Sequence, residues 1–476
     1  MKKLLMLVLI VSVILFQIAD VIHAEEKSVQ KETRPNILFL LADDLGWGDL
    51  GSYGNQRKRT PNLDKLASQG ILFTQFYQGG SVCSPSRATL LTSRFPAELK
   101  IHGHFATPEQ NKARAMPNEL ALQTPTLPRF LKQSGYRTIH IGKWHLGNPK
   151  PNVDALQEYG FDETYLFNRD RNIPSDGQGP SRPDSSRIFV DDAIQAISAV
   201  KDQPFYAQVW FFDTHAPLIP PAELREPYRN KRFTPDGFTT PYEVFSAALT
   251  EFDRQIGRLL KFLEDSGLAD NTIVIFSSDN GPEDIEIANA AWSGVGNTGP
   301  LRGRKRSLYE GGVRLPFIVR WNGNIPAGQV NNHSVISGAD LLPTLTSIAG
   351  IELPDDVKKT LRGENITDAL KGNKQFTRSK PLYWEWRFRI ANHLWNRSPI
   401  LAIRDGQWKL LLNPDQSRIE LYDIPNDHSE QNNVAEKYPD IVKKLSEKIL
   451  AWQKTLPEGP YEPTAGKNDY PFPKEK

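Results

Sequence analysis

Asn36-Ile37-Leu38-Phe39-Leu40-Leu41-Ala42-Asp43-Asp44 is the stretch on which the reading of the fold turns. Asn36–Leu41 is a short, nearly unbroken apolar run, the pattern of a strand covered on both faces, as strands of a parallel sheet are. It runs straight into two adjacent carboxylates. In an open α/β sheet ligands bind in the crevice beyond the carboxyl ends of the strands, so the position of that acid pair is as informative as the strand itself.

Working outward, Arg137–Ile141, Phe205–Phe211, Thr272–Phe276 and Phe317–Trp321 read as further strands of the same kind. Helical patterns lie between them. Pro61–Gln69 opens with proline in its first turn, and Thr126–Ser134 stops at Gly135. Ser186–Val200 and Tyr242–Asp265 repeat apolar residues near the helical period. This alternation predicts an α/β domain over residues 36–374, with a large, mostly parallel central sheet flanked by helices. Beyond residue 375 the pattern changes. Pro381–Ile390, Ile400–Leu412 and Glu420–Asp423 alternate as antiparallel strands, with Asp405-Gly406 as a turn. A helix over about Glu436–Leu456 follows, giving a smaller C-terminal α+β subdomain over 375–456 and an irregular tail over 457–476.

Composition narrows the class. The chain has 476 residues, with 58 Lys+Arg against 56 Asp+Glu. So even a balance excludes a general nucleic-acid binder and predicts no such partner. Lys2 and Lys3, the apolar run Leu4–Ile18 and Ala24 ahead of a polar stretch have the form of a secretory signal peptide over residues 1–24, with a linker over 25–35. The competing reading is a single membrane anchor. The expectation is export, to a periplasm or beyond the cell, with no stable membrane anchor. An exported protein usually pairs its cysteines or avoids them. This chain has one, Cys83.

Four of the strands end in residues capable of chemistry. Asn36–Leu41 leads to Asp43 and Asp44, Thr272–Phe276 to Asp279 and Asn280, Arg137–Ile141 to Lys143 and His145, and Phe205–Phe211 to Asp213 and His215. Each acid pair alone is an ordinary turn or cap feature. Two at neighbouring strand ends form an oxygen-only cage that suits calcium or magnesium better than zinc. Cys83 lies in Cys83-Ser84-Pro85-Ser86-Arg87. Ser84 reads as a helix N-cap and Pro85 as the first helical residue, which puts Cys83 where free backbone N–H groups favour an anion. Arg87 adds a planar cation one turn on.

Cys83-Ser84-Pro85-Ser86-Arg87 resembles the signature of the type I sulfatases, in which a maturation enzyme oxidises the cysteine to formylglycine. Gly135-Tyr136-Arg137-Thr138 through Gly142-Lys143-Trp144-His145 is similar to the family's second signature. Further matches include Asp43-Asp44-Leu45-Gly46-Trp47-Gly48-Asp49, Ser278-Asp279-Asn280-Gly281 and Tyr309-Glu310-Gly311-Gly312-Val313-Arg314. They continue to Trp408-Lys409-Leu410 and Glu420-Leu421-Tyr422-Asp423.

The resemblance implies an alkaline-phosphatase-like fold and hydrolysis of sulfate esters. It also implies one calcium ion held by Asp43, Asp44, Asp279, Asn280 and the modified Cys83. The hydrate of formylglycine 83 is then the nucleophile. Arg87, Lys143, His145, His215 and Lys305 match positions that hold the sulfate or move protons, with His215 as acid to the departing alcohol and His145 as base for aldehyde recovery. Lys305 departs from the family's usual surroundings, because Arg304 and Arg306 flank it in place of small residues.

The implied partners are a formylglycine-generating enzyme and a sulfated carbohydrate, either algal (ulvan, carrageenan or fucoidan) or a glycosaminoglycan. Arg302, Arg304 and Trp292 are the candidate substrate contacts, with Arg169, Arg171, Arg306, Trp384 and Trp386 as further charged or stacking groups; each also reads as a solvated charge or a packed aromatic. Two alternatives stand beside this one: a related phosphatase or phosphodiesterase, and an inactive sulfatase-like protein that binds sulfated glycans.

Overall fold

The computed structural model describes residues 34–57, 60–147, 153–166, 184–230, 239–284, 293–372, 375–390 and 393–470. The signal-peptide reading of residues 1–24, Arg169, Arg171 and Trp292 lie outside these residues.

Among the described residues the central sheet has nine strands: β1 (Asn36–Ala42), β2 (Ile71–Tyr77), β3 (Arg137–Gly142), β4 (Glu163–Tyr165), β5 (Phe205–Trp210), β6 (Thr272–Ser278), β7 (Arg314–Arg320), β8 (Gln329–Asn331) and β9 (Ile336–Ser337). Their order is β4-β3-β5-β1-β6-β7-β2-β8, with β9 also on β2. From β4 to β6 every pairing is parallel. The expected strand at Phe317–Trp321 exists as β7, but it runs antiparallel to both β6 and β2. That corrects its parallel assignment.

β1 accounts for the sheet's central position. Ile37, Phe39 and Leu41 enter one apolar layer and Leu38, Leu40 and Ala42 the other, all at 2% exposure or less. Fully burying an isoleucine, leucine or phenylalanine side chain contributes roughly 1.5–3 kcal/mol. One layer is closed by helices Cys83–Thr92, Leu127–Gln133 and Leu341–Ile348. The other is closed by Pro61–Ser68, Ser185–Val200 and Pro241–Asp265. The sheet is therefore covered on both sides.

The second sheet is antiparallel, with strands β10 (Leu382–Glu385), β11 (Leu401–Asp405), β12 (Trp408–Leu412) and β13 (Glu420–Asp423) in sequential order. Leu401, Ile403, Leu410 and Leu412 face the helix Pro439–Gln453 through Leu445 and Ile449. The opposite face, with Trp384, Ala402, Leu411 and Tyr422, packs on Tyr77, Val82, Leu308 and Tyr309 of the larger body. A buried ion network crosses that junction. Lys409 Nζ lies 2.8 Å from Glu310 Oε1 and 3.0 Å from Glu430 Oε1, all with fully buried side chains. Tyr77 donates to Glu310 Oε2 at 2.7 Å. The segment 457–470 has no helix or strand and is fastened by Tyr461, which donates to Glu385 at 2.9 Å, and by Tyr470, which donates to the Ile390 carbonyl at 2.6 Å.

Candidate active site

The parallel run β3-β5-β1-β6 places four strand ends side by side on one edge. Backbone bonds extend the ladder beyond the strands. Asp43 N donates to Asp213 O at 2.9 Å, Lys143 N to Trp210 O at 2.8 Å, and Asp279 N to Ala42 O at 3.2 Å. Gly142, at φ +96°, ends β3 where an added Cβ would sit 2.2 Å from the Trp210 carbonyl oxygen. A side chain there would push the Lys143–His145 turn away from β5.

The helix Cys83–Thr92 is laid against this edge. Gly79 allows its approach, since a Cβ there would meet Thr89 Oγ1 at 2.0 Å. The helix begins at Cys83 itself with Val82 as the capping position, and no side chain caps it. This corrects the expected Ser84 cap and Pro85 start. Ser84 Oγ instead accepts from Phe105 N at 3.0 Å, which ties the helix start to a neighbouring loop. Cys83 is 3% exposed, and its Sγ lies within 4.8 Å of carboxylate oxygens of Asp43 and Asp279. Burial pushes its thiol pKa up.

Four buried acidic or amide residues meet here: Asp43, Asp44, Asp279 and Asn280. Arg87 donates to Asp279 Oδ2 through Nε (3.0 Å) and Nη2 (2.7 Å) and lies over the Trp210 ring. Its Nη1 donates to the Lys143 carbonyl at 2.7 Å. Lys143 Nζ hydrogen-bonds Asp43 Oδ2. Lys305 Nζ lies 2.7 Å from Asp44 Oδ2 and 3.2 Å from Glu283 Oε2. Asn280 Nδ2 donates to Asp44 Oδ1 at 2.6 Å.

Burial alone would raise the pKa of Asp43, but Lys143, His215 and Arg87 hold it well below the usual carboxylate range. Burial prevails at Asp44, which is raised to about 7 against the opposing pull of Lys305. Burial and the charge of Asp43 raise Asp279. Asp44 at φ +62° and His145 at φ +55° adopt left-handed backbone, uncommon for residues other than glycine and frequent where a site over-determines the chain.

Oxygen atoms remain for a cation. Asp43 Oδ1 and Asn280 Oδ1 are buried without a hydrogen-bond partner among the described residues. A buried acceptor left unpaired costs about 1–3 kcal/mol, and hard oxygen donors suit calcium. The donor set fits that ion.

The two histidines have defined tautomers. His145 Nε2 donates to the Phe105 carbonyl at 3.2 Å, leaving the buried Nδ1 as acceptor without a partner among the described residues. Burial, Lys143 and Arg87 hold its pKa well below the usual histidine value. His215 Nδ1 donates to the Ala216 carbonyl at 2.6 Å, and its Nε2 lies 3.8 Å from Asp44 Oδ2.

The candidate substrate contacts sit differently. Arg302 is stacked on Tyr309 and Trp395, with its guanidinium 3.7 and 4.3 Å from their ring centroids, and Nη1 donates to Tyr422 Oη at 3.1 Å. Arg304 donates to the carbonyls of Glu283 (2.9 Å) and Gly294 (2.8 Å). Trp384 and Trp386 are 2% and 5% exposed, so both are packed aromatics rather than sugar platforms. Sequence reasoning missed Glu283, which holds both Lys305 and Arg306. It also missed His104, whose ring centroid is 6.3 Å from that of His145.

Comparison with known proteins accords with this geometry. The family model described as Sulfatase matches residues 35–351, and that of the N-sulphoglucosamine sulphohydrolase C-terminal region matches 303–455. The chain is 33% identical over 407 residues to N-acetylgalactosamine-6-sulfatase of Canis lupus familiaris, covering 79% of this chain and 71% of that protein. It is 28% identical over 512 residues to N-acetylgalactosamine-6-O-sulfatase of Bacteroides thetaiotaomicron, covering 88% and 93%. The chain spans about two thirds of the length of the mammalian relatives it matches. The crystal structure of Ps i-CgsB in complex with k-i-k-neocarrahexaose superposes with a TM-score of 0.73 at 26% identity, covering 92% of this chain and 97% of that one.

Proposed function

The chain belongs to the sulfatase family and is by that membership a sulfuric ester hydrolase, and from this premise we propose that it removes sulfate from a sulfated carbohydrate, using a formylglycine made from Cys83 and one calcium ion. The observation that carries the reading is the lone Cys83, buried at a helix start with its Sγ within 4.8 Å of two strand-end carboxylates. Relatives with sulfated-sugar names, and a structural neighbour crystallised with a carrageenan-type hexaose, support carbohydrate as the substrate class.

Asp43, Asp44, Asp279, Asn280 and residue 83 would hold the ion. When present, the ion and the oxidised side chain supply an acidified oxygen nucleophile and a positive centre for the sulfuryl group. The protein's own groups do the rest. Arg87, Lys143 and Lys305 gather on the anionic edge and offset charge on the sulfuryl oxygens as it redistributes. Lys305 stays protonated, since Asp44 and Glu283 raise its pKa against burial. His145 is held neutral with Nδ1 unoccupied, the state of a base. His215, once protonated at Nε2, is placed to return a proton to the departing alcohol.

The same reading includes export directed by residues 1–24, and a division of the chain at about residue 375. No helix among the described residues is long and apolar enough to cross a membrane.

The test is expression with and without a formylglycine-generating enzyme, followed by peptide mass spectrometry at Cys83 and assay of sulfate release. Conversion to the aldehyde should accompany activity. Full activity from protein carrying only unmodified Cys83 would sink the mechanism. Turnover of aryl phosphate in preference to aryl sulfate would favour a phosphatase.

A further inference from the structure

We propose that His104 is a specificity-determining residue that hydrogen-bonds a hydroxyl of the sugar bearing the scissile sulfate, an inference that rests on the carbohydrate-sulfatase reading above. The loop that carries His104 is held on both sides of it. His102 Nδ1 lies 3.1 Å from Glu385 Oε2, which also accepts from Arg387 Nε at 2.7 Å. Phe105 is pinned at both ends, its N–H on Ser84 Oγ and its carbonyl on His145 Nε2. Gly103 lies so close to Phe388 that a Cβ would come within 2.9 Å of its ring. Arg114 donates to the His104 carbonyl at 3.3 Å and sits 5.2 Å from the Phe388 centroid. Every neighbour of His104 in the loop is spoken for.

The imidazole of His104 is not. It is half-buried beside the His145 ring, and its ring nitrogens have no hydrogen-bond partner among the described residues. A rigid loop thus presents a bare imidazole at the wall of the site. Its charge state indicates what it meets. Burial and the cations Arg114 and Lys305 press its pKa down to about 4, so it is neutral at ordinary pH. The sulfate already has Arg87, Lys143 and Lys305 to meet it, whereas a neutral imidazole offers one donor and one acceptor. That pair complements an alcohol. The group of the substrate that must lie beside the cations, yet is uncharged and rich in hydroxyls, is the sugar.

The test uses full-length matured protein and two variants, His104→Phe, which keeps an aromatic ring without polar atoms, and His104→Gln, which restores a neutral donor and acceptor. Desulfation of sulfated oligosaccharides is compared with that of 4-nitrophenyl sulfate, which has no sugar hydroxyl. One lost neutral hydrogen bond is worth about a tenfold change. The ratio of kcat/KM for sugar sulfate to that for aryl sulfate should fall about tenfold in His104→Phe, mostly through KM, and recover in His104→Gln. An equal loss on both substrates, or no loss on the sugar, overturns the assignment. Release of sulfate by neither substrate in the wild-type protein defeats the parent reading instead. Saturation-transfer NMR with the desulfated oligosaccharide then tests His104 by itself: weaker contact in His104→Phe supports it, and equal contact overturns it.

Discussion

Arg87 directs both Nε and Nη2 at a single oxygen of Asp279, at 3.0 and 2.7 Å, leaving Asp279 Oδ1 to accept from Asp44 N at 3.2 Å. The fork therefore sets the orientation of one acid and, through it, the turn that carries another. Lysine keeps the charge but cannot reproduce the planar fork. Arg87→Lys should lower kcat/KM for sulfate release by about 10²–10³-fold, the scale of losing one donor aimed at developing charge. Steady-state kinetics on protein whose conversion at Cys83 is verified would check this, and near-wild-type rates would refute it.

Asp43 Oδ1 and Asn280 Oδ1 supply the second prediction, because both are buried acceptors without partners among the described residues. Chelation should abolish sulfate release and calcium should restore it. Asp43→Asn removes one anionic ligand and should weaken calcium binding by about tenfold or more. Calorimetric titration of chelator-treated protein measures it directly. Unchanged calcium affinity in this variant would remove Asp43 from the ion's ligands.

His140 makes stability depend on pH. It is fully buried among Trp144, Phe161 and Trp210, with Nδ1 accepting from Gln208 at 2.7 Å, and burial pushes its pKa down to about 3. The folded value is depressed, so the unfolded chain binds the extra proton between about pH 6.5 and 3. Its contribution is intact above pH 6.5 and shrinks as pH falls through that window. Between pH 7 and 5 the loss is on the order of 2 kcal/mol. Urea unfolding as a function of pH should show this slope, and His140→Leu should flatten it.

Lys409 joins the two halves of the molecule. It lies on β12 and neutralises Glu310 beside β7 together with Glu430, while burial raises Glu430 to about 7 even against the lysine. Lys409→Met would remove the cation shared by two buried carboxyl groups, leaving Glu310 to Arg314 Nη1, 3.2 Å away. Removing one partner of such a cluster costs roughly 3–5 kcal/mol. Chemical denaturation should register that loss, whereas a change below about 1 kcal/mol, the scale of an exposed pair, would mean that the network is solvated.

The strands that frame the site were legible because burial on both faces leaves an unbroken apolar run, and their last residues are charged. The direction of β7 was not. Phe317–Trp321 reads alike in either direction, and its antiparallel course depends on the connection from β6. β2 escaped notice because Thr74 and Gln75 interrupt its apolar run; Gln75 Nε2 donates to the Asn332 carbonyl at 2.6 Å. The Ser84 cap failed for a tertiary reason, since its hydroxyl serves Phe105, far along the chain. The stacking of Arg302 on Tyr309 and Trp395 was not legible either, because Trp395 is far from the other two in the sequence. The grouping of Asp43, Asp44, Asp279 and Asn280 was visible, because parallel strands bring their carboxyl ends to one edge. Glu283 and His104 had no such signal, as each lies on an irregular segment whose path only the folded chain defines.

Burial of Cys83 sets a schedule. At 3% exposure, inside the first turn of a helix packed against the sheet, the thiol offers no handle to another protein. If this side chain is converted by a maturation enzyme, conversion has to precede completion of the fold, while the segment around Pro85 is still extended. An unmodified chain that finishes folding first would be stranded in an inactive form, and adding the enzyme afterwards would not recover it without unfolding.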